Sequence, residues 1–294
     1  MLGALLPHEL LLVVGCGFVV GGLSGIFGVG GSFLLVPILH VVLGIPIEMA
    51  VGTTACQVLG PSTAALLARR VTRVQLRLPL IITGGIIMGV LLGTLILSEA
   101  GQFGEIQINS RNVDASELLV LGTYLVMLVG IGAFSIYEVR RQLTGNPVAR
   151  GALARLTIPP VDTFSELGVG TLSIPILSMF GLVTGITAGM LGISGALLLI
   201  PGLVYLLDIS SRKAILASLI VVWITSFLAT ISHAWQGHVD LALTIALMLG
   251  GTIGARIGSD LSNRLQSRSL RSGIGWLSLF AAGLVLFQLY QLLK

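Results

Sequence analysis

The stretch LSGIFGVGGSFLLVP, residues 23–37, is matched without a gap by TAGMLGISGALLLIP, residues 187–201, at an offset of 164 positions. Each stretch places a glycine cluster inside a long apolar run and ends at a proline. At an offset of 165, three glycines at four-residue spacing superpose on three others: Gly85, Gly89 and Gly93 on Gly250, Gly254 and Gly258. Such stripes let helices approach closely in lipid. The chain is therefore predicted to contain two related halves.

The composition places both halves in a bilayer. Of 294 residues, 55% are hydrophobic and 10% are charged, and the mean hydropathy is +1.03. Seven runs contain no Asp, Glu, Lys or Arg: 10–47, 49–68, 78–98, 118–137, 167–207, 214–239 and 272–293. A spanning helix needs about 20 apolar residues. We therefore predict an all-α polytopic membrane protein, and we exclude a water-soluble enzyme and a nucleic-acid binder despite the net charge of +4.

The first charge-free run of each half, 38 and 41 residues long, exceeds one span. We expect each run to form a hairpin of short or broken helices that meet near the glycines. Three ordinary spans follow in each half: about 48–68, 78–98 and 118–137, then 214–232, 239–258 and 272–292. This predicts about five helical segments per repeat and eight to ten in total. The first repeat covers 1–137, a basic linker covers 138–166, and the second repeat covers 167–294.

Orientation follows from the distribution of Lys and Arg between alternate loops. Thirteen of the sixteen fall in loops assigned to the cytoplasm: Arg69, Arg70, Arg73, Arg77, Arg140, Arg141, Arg150, Arg155, Arg212, Lys213, Arg264, Arg268 and Arg271. Both termini are then extracytoplasmic, and the loop after the hairpin is external in the first half and cytoplasmic in the second. The repeats are thus predicted to be inverted, which is typical of secondary transporters with a binding site near the midplane.

The glycine clusters are the strongest candidate site. If the second hairpin arm begins there, its amides and dipole form an anion site. The predicted substrate-binding residues are Gly28, Gly30, Gly31, Ser32, Gly192, Ser194 and Gly195, with Thr53, Thr54, Gln57, Ser218 and Thr225 on the next helix of each half. The alternative is that the glycines only permit close helix crossing and that the hydroxyls bond their own helices.

Ionisable groups are missing from the centres of the predicted spans. Without a buried Lys or Arg, an anion would be held by dipoles, and without a deep Asp or Glu no coupling relay is visible. A membrane potential that is negative inside would drive anions outward. His233, beside Trp235 at a span end, is interpreted as an interface anchor. Cys16 and Cys56 fit buried free thiols, and we predict neither a metal nor a cofactor.

At these residues the sequence resembles the sulfite exporter TauE/SafE family. The shared pattern is Gly28-Val29-Gly30-Gly31, then Pro37, then Ala50-Val51-Gly52-Thr53, echoed by Gly192-Ile193-Ser194-Gly195, Pro201 and Gly254-Ala255-Arg256. Ser194 departs from the more usual glycine, and Ala217-Ser218 replaces Gly-Thr. The resemblance covers about residues 10–95 and 180–290. It implies a multi-pass carrier of the bacterial inner membrane for sulfite, organosulfonates or related sulfur-containing or carboxylate anions. From the inverted repeats we expect this carrier to work by alternating access, and a homodimer is left open.

Two other classes fit parts of the sequence. Gly192-Ile193-Ser194-Gly195 with a distant His233 resembles rhomboid intramembrane serine proteases, whose chemistry needs the serine and histidine within hydrogen-bond reach. The repeat already explains that motif, because Gly30 is the counterpart of Ser194. A membrane scaffold without transport activity would use the glycines for packing alone.

Overall fold

The computed structural model describes residues 7–27, 32–67, 76–108, 111–145, 148, 150–156, 158–164, 170–193, 195–262 and 267–294. These residues are mostly helical. Their α-helices are Pro7–Phe27 (α1), Ser32–Pro37 (α2), Ile47–Gln57 (α3), Leu59–Leu67 (α4), Arg77–Gln102 (α5), Ala115–Leu143 (α6), Ile174–Leu191 (α7), Ala196–Pro201 (α8), Ser211–Trp235 (α9), Leu241–Ser262 (α10) and Ser267–Leu293 (α11). Two short antiparallel strand pairs join Glu105–Ile108 (β1) to Arg111–Asp114 (β2) and Val161–Thr163 (β3) to Thr171–Ser173 (β4).

Six of the described helices are long and apolar enough to cross a membrane. They are Arg77–Gln102, Ala115–Leu143, Ile174–Leu191, Lys213–Trp235, Leu241–Leu261 and Ser272–Leu293. Shorter apolar helices cover Leu11–Phe27, Ser32–Val42 and Ala196–Leu206. The prediction of an all-α polytopic membrane protein is confirmed.

Each long charge-free run forms two helices, and the second helix of each pair changes its winding at a proline. Pro37 and Pro201 have no N–H to donate to the carbonyl four residues earlier. Beyond them the chain continues as one π-helical turn, Ile38–Val42 in the first half and Gly202–Leu206 in the second. The backbone bonds that follow also correspond: Ile45 N–H donates to Leu39 O at 3.1 Å, and Ile209 N–H donates to Leu203 O at 2.9 Å. The likeness of the halves thus extends past the prolines.

The helix after the first hairpin is not the single span expected over 48–68. It is divided into α3 and α4 at Val58. Pro61 cannot donate to the Gln57 carbonyl, and its ring crowds that carbonyl, which explains the interruption of the helix. The corresponding helix of the second half, α9, contains no proline and is unbroken.

The glycine stripes pack each half against the first helix of the other half. A Cβ on Gly85, Gly89 or Gly93 of α5 would overlap the backbone of α7, and one on Gly250, Gly254 or Gly258 of α10 would overlap the backbone of α1. The carbonyls that these Cβ atoms would overlap occupy equivalent positions in the two halves, 164 residues apart. They are those of Ser178, Leu182 and Ile186 in α7, and of Val14, Phe18 and Gly22 in α1. The predicted close approach is confirmed, and its partners are exchanged between the halves.

The apolar core divides into two clusters that each mix residues of both halves. One cluster is formed mainly by α1, α2, α6, α10 and α11, and the other mainly by α5, α7, α8 and α9. Helix α3 contributes to both, with Val51 in the first and Ala55 in the second. Helix α3 therefore lies between the two packed groups.

Loops assigned to the same side of the membrane contact one another at one end of the helices. Arg77, at the start of α5, forms an ion pair of 2.8 Å with Asp162 of the linker. Within the same linker, Gly151 N–H donates to the Tyr205 carbonyl at 2.9 Å, next to the loop that follows the second hairpin. We call this end the linker face.

The loops assigned to the other side meet at the opposite end of α5. There Gly101 lies against the Glu48 carboxylate, and Nε2 of His238 lies 3.5 Å from Oε2 of Glu48. We call this end the Glu48 face. The two loops that follow the hairpins thus lie on different faces, Glu48 on one and Tyr205 on the other.

Helix α6 continues beyond the expected end at residue 137 and includes a buried acidic side chain. Glu138 is 4% exposed, and its Oε1 accepts a hydrogen bond from Gln142 Nε2 at 2.8 Å. The charge-free run 118–137 predicts that Glu138 belongs to the linker. It lies instead in the last part of a candidate span.

Candidate functional site

The second glycine cluster interrupts the helix between α7 and α8. Gly192 has a φ of +65° and Gly195 has a φ of +74°, in the left-handed region that side chains with a Cβ avoid. The surrounding residues Leu191, Ile193 and Ala196 are buried. Ser194 and the first cluster, Gly28, Gly30 and Gly31, lie outside the described residues. The break predicted at the second cluster is present.

Three of the last four carbonyls of α7 are bonded by the protein itself. Gly192 N–H donates to Ala188 O at 3.0 Å, His233 Nε2 donates to Gly189 O at 2.8 Å, and the Tyr124 hydroxyl donates to Leu191 O at 2.9 Å. A helix end leaves carbonyls without partners, and lipid offers none. Side chains from α6 and α9 therefore close the negative end of this break.

The start of α8 is different, because its N-cap residue Gly195 carries no side chain to cap the amides. The described residues supply no side-chain cap there, and the Gly195 carbonyl accepts from Leu198 N–H and Leu199 N–H at 3.0 and 2.8 Å. With the π turn, this arm covers Ala196–Leu206. Its first amides and its positive dipole end face the break. Among the described residues, side chains thus bond the acceptor end of the break, and none caps its donor end.

Helix α3 of the other half packs directly on this break. A Cβ on Gly192 would overlap the backbone of Val51. Thr54 lies three residues beyond Val51 and therefore on the same side of α3. Its side chain is fully buried, and its hydroxyl has no hydrogen-bond partner among the described residues. A buried hydroxyl without a partner costs about 1–3 kcal/mol, so this position calls for a functional explanation.

The remaining predicted residues on α3 are buried against α10. Thr53 Oγ1 accepts a hydrogen bond of 3.1 Å from Asp240 N–H. The Gln57 amide lies beside Gly251, where a Cβ would meet its Nε2. Both residues join α3 to α10 in this conformation. Ser32, the first residue of α2, is also buried.

The predicted residues on α9 bond to their own helix. Ser218 donates to Ile215 O at 2.9 Å, and Thr225 donates to Val221 O at 2.8 Å. Their donors are therefore engaged, which is the alternative that the sequence left open. Of the predicted hydroxyls described here, that of Thr54 alone is both buried and unpaired.

His233 is not the interface anchor that its position beside Trp235 suggested. Trp235 is 91% exposed, whereas His233 is fully buried. Residues two apart on a helix point to nearly opposite sides, so Trp235 faces outward and His233 faces α7. Its Nε2 is already bonded to Gly189 O, and its Nδ1 has no partner in the described part. A serine protease would require His233 to contact Ser194, and Ser194 lies outside the described ranges.

Tyr124 is a site residue that the sequence analysis missed. It is fully buried in the middle of α6, and its hydroxyl bonds the last carbonyl of α7. A tyrosine in the centre of a charge-free run needs a partner for its hydroxyl. That requirement was the available signal, although it does not identify the partner.

Positive charge is absent from the described interior. The buried polar and charged side chains of the described ranges include Glu138 and His233 but no Lys or Arg. An anion at the break would therefore be held by backbone amides and hydroxyls.

Comparison with known proteins consistently indicates a membrane transporter. A family model described as "Sulfite exporter TauE/SafE" matches residues 13–285. A "Probable membrane transporter protein" of Xylella fastidiosa (strain 9a5c) is 26% identical over 266 residues, which cover 88% of this chain and 87% of the relative. YjnA and YdhB of Bacillus subtilis (strain 168), which carry the same description, are 27% and 22% identical and cover 87% and 94% of this chain, with 91% and 99% of their own lengths matched. No solved structure matches the chain at a significant level.

Proposed function

The chain belongs to the sulfite exporter TauE/SafE family of membrane transporters, and from that membership we propose that it exports small sulfur-containing anions, sulfite or organosulfonates. The membrane proposed is the bacterial inner membrane, with both termini on the outer side. The Glu48 face is then extracytoplasmic and the linker face cytoplasmic.

The proposed binding site is the break between α7 and α8, with its counterpart at Gly28, Gly30, Gly31 and Ser32. The single observation that carries this proposal is the asymmetry of the break. Tyr124 and His233 close its acceptor end, its donor end has no side-chain cap in the described chain, and the unpaired Thr54 hydroxyl lies on the adjoining face of α3. Amides at a helix start and a hydroxyl donor suit an anion with several oxygen atoms.

Further contacts are proposed from the sequence. Ser194 lies between the two left-handed glycines, and Thr53, Gln57, Ser218 and Thr225 lie on the helices beside the break. In the described conformation Thr53, Ser218 and Thr225 already take part in hydrogen bonds. A site that recruits the donors of Ser218 and Thr225 would have to open the bonds to their own helix.

We further propose that the two repeats are inverted and work by alternating access. This is supported by the position of the corresponding loops after the hairpins, one on each face, and by the exchanged pairing of α1 with α10 and α5 with α7. The two core clusters are the proposed moving units, since each is packed internally and α3 lies between them.

Export follows from the charge of the substrate. A potential negative inside favours anion exit by roughly 2.3 kcal/mol per charge per 100 mV. A site without Lys or Arg holds the anion weakly enough to release it. The membrane potential then suffices to drive net efflux.

The test is anion efflux from liposomes that contain the purified protein, loaded with sulfite, a simple alkanesulfonate or sulfate and clamped at potentials of either sign. We expect flux that follows the potential and that prefers one of these anions. A membrane scaffold would give no flux at either potential, and that result would refute the proposal. Loss of a peptide-cleaving activity in Ser194→Ala, with no effect on any anion flux, would favour the protease instead.

A further inference from the structure

A second polar site, apart from the glycine breaks, joins the first hairpin to α6 on the Glu48 face. His40 lies in the π turn Ile38–Val42, and Glu117 lies in the first turn of α6. His40 Nε2 is 2.6 Å from Glu117 Oε1, and His40 Nδ1 is 2.8 Å from the Ile45 carbonyl. Gln288 of α11 donates to the same Glu117 oxygen at 3.4 Å. The side chains of His40 and Glu117 are 11% and 15% exposed.

The number of protons in this arrangement follows from counting donors. A carbonyl only accepts, so Nδ1 must carry a proton to bond Ile45. The short contact between Nε2 and Oε1 needs a second proton, on the ring or on the carboxyl group. A neutral imidazole beside an ionised carboxylate has a single proton for both contacts. A pair that makes both contacts as hydrogen bonds therefore holds one proton more than a neutral histidine and a carboxylate.

Loss of that proton is incompatible with both contacts. If the remaining proton stays on Nδ1, two lone pairs face each other between Nε2 and Oε1. If it moves to Nε2, a ring lone pair faces the Ile45 carbonyl. Either way one of the two side-chain bonds of His40 is lost.

The other described ionisable side chains near this pair contact other groups or are exposed, so the proton belongs to His40 and Glu117. On α3 the ionisable side chain nearest this face, Glu48, lies by His238. On α11, Lys294 lies over the exposed Tyr290 ring, and on β2 Asp114 is exposed. Farther along α6, Tyr124 is bonded to Leu191, and on α1 the described ionisable side chain is Cys16. The ionic contact of His40 in the described chain is with Glu117.

The second half has the same turn without this pair. At the offset of 164, Val204 occupies the position of His40, and the backbone bonds around it correspond. A valine cannot bind a proton. The turn of the first half is therefore the one whose attachment depends on protonation.

We propose that His40 and Glu117 form a proton-binding site: when it is loaded, His40 bonds both Glu117 of α6 and the Ile45 carbonyl, and when it is empty, one of these two bonds is released and the turn loosens. The consequence for transport rests on the proposed function: anion flux is slow with the pair protonated and rises as the proton leaves. The proton controls the rate and does not supply the driving force.

The structural test is hydrogen–deuterium exchange of residues 38–46 relative to residues 202–210, measured between about pH 5 and pH 8. The intrinsic pH dependence of exchange cancels largely in this ratio, because base-catalysed exchange has nearly the same pH dependence in every amide. The second segment is a suitable reference because its turn shares the corresponding backbone bonds. In the wild type the ratio should rise roughly tenfold across the range, as expected for a lost charge-assisted hydrogen bond. Glu117→Gln supplies a donor to Nε2 that cannot dissociate, so its ratio should stay low. A wild-type ratio that does not change with pH would overturn the proposal.

The functional test uses the same variants in liposomes with equal pH on both sides. The probe is an alkanesulfonate, whose charge is constant over this range. Glu117→Gln should give slow flux at every pH, and His40→Val, which copies the second half, should give fast flux at every pH. Glu48→Gln, the matched control that removes a carboxylate beside a histidine on the same face, should keep the wild-type profile. Retention of the wild-type profile in both pair variants would refute the proposal. Absence of flux in all proteins with the expected exchange ratios would refute the proposed function and leave the proton site standing.

Discussion

The unpaired hydroxyl of Thr54 permits a test that separates binding from stability. Thr54→Val keeps the shape of the side chain and removes the hydroxyl. Because this hydroxyl has no partner among the described residues, its removal should not lower the thermal stability of the empty protein, and it relieves a burial cost of about 1–3 kcal/mol. If the hydroxyl donates to a bound anion, the variant loses a charge-assisted hydrogen bond of about 1.5–3 kcal/mol, or roughly 10- to 150-fold in Kd.

The assay compares anion affinity, from the concentration dependence of flux, with the melting temperature in detergent. The matched control is Thr83→Val on α5, where the buried hydroxyl donates to Pro79 O at 2.8 Å within its own helix. The control should leave anion affinity unchanged. Unaltered affinity in Thr54→Val would show that the hydroxyl does not contact the anion, and a clear loss of its stability would show that the hydroxyl has a partner within the protein. Either result would contradict our interpretation of the site.

Three further substitutions test the packing that holds the site, each by thermal unfolding of the purified protein and by anion flux. Gly85→Ala should destabilise by at least about 1–3 kcal/mol, because its Cβ meets the α7 backbone, whereas Gly84→Ala, which meets nothing, should be neutral or stabilising by up to about 1 kcal/mol; equal effects would contradict the exchanged packing. Tyr124→Phe should cost about 1–3 kcal/mol by leaving the last carbonyl of α7 unpaired, and an unchanged melting temperature would remove Tyr124 from the break. Gly195→Ala should cost about 1–2 kcal/mol for its left-handed backbone and reduce flux while the protein still inserts, so wild-type flux in a folded Gly195→Ala would count against the site.

The hairpins could be predicted because their determinants are local. A glycine cluster followed by a proline has the same backbone consequences wherever it occurs, and its recurrence at a fixed offset identified both hairpins. The break in the helix after the first hairpin was equally local, since Pro61 is visible in the sequence. The charge-free run hid it, because hydropathy does not distinguish one helix from two consecutive ones.

The partners of the predicted elements could not be read in the same way. A glycine stripe shows which side of a helix packs closely, but not which helix packs against it. The bonds of Tyr124, His40 and His233 join residues far apart in the chain. His233 also shows the limit of arguing from a neighbour: Trp235 marks the end of the helix, while the rotation between the two residues turns the histidine inward.

The exchanged pairing of α1 with α10 and of α5 with α7 bears on how the protein is made. A ribosome delivers α1 and α5 to the membrane well before their partners exist. Until the second half is synthesised, the glycine-lined sides of both helices must face lipid or a membrane chaperone. The first half should therefore be short-lived when it is expressed alone, and a gene divided within the linker should yield a stable protein only when both pieces are synthesised together.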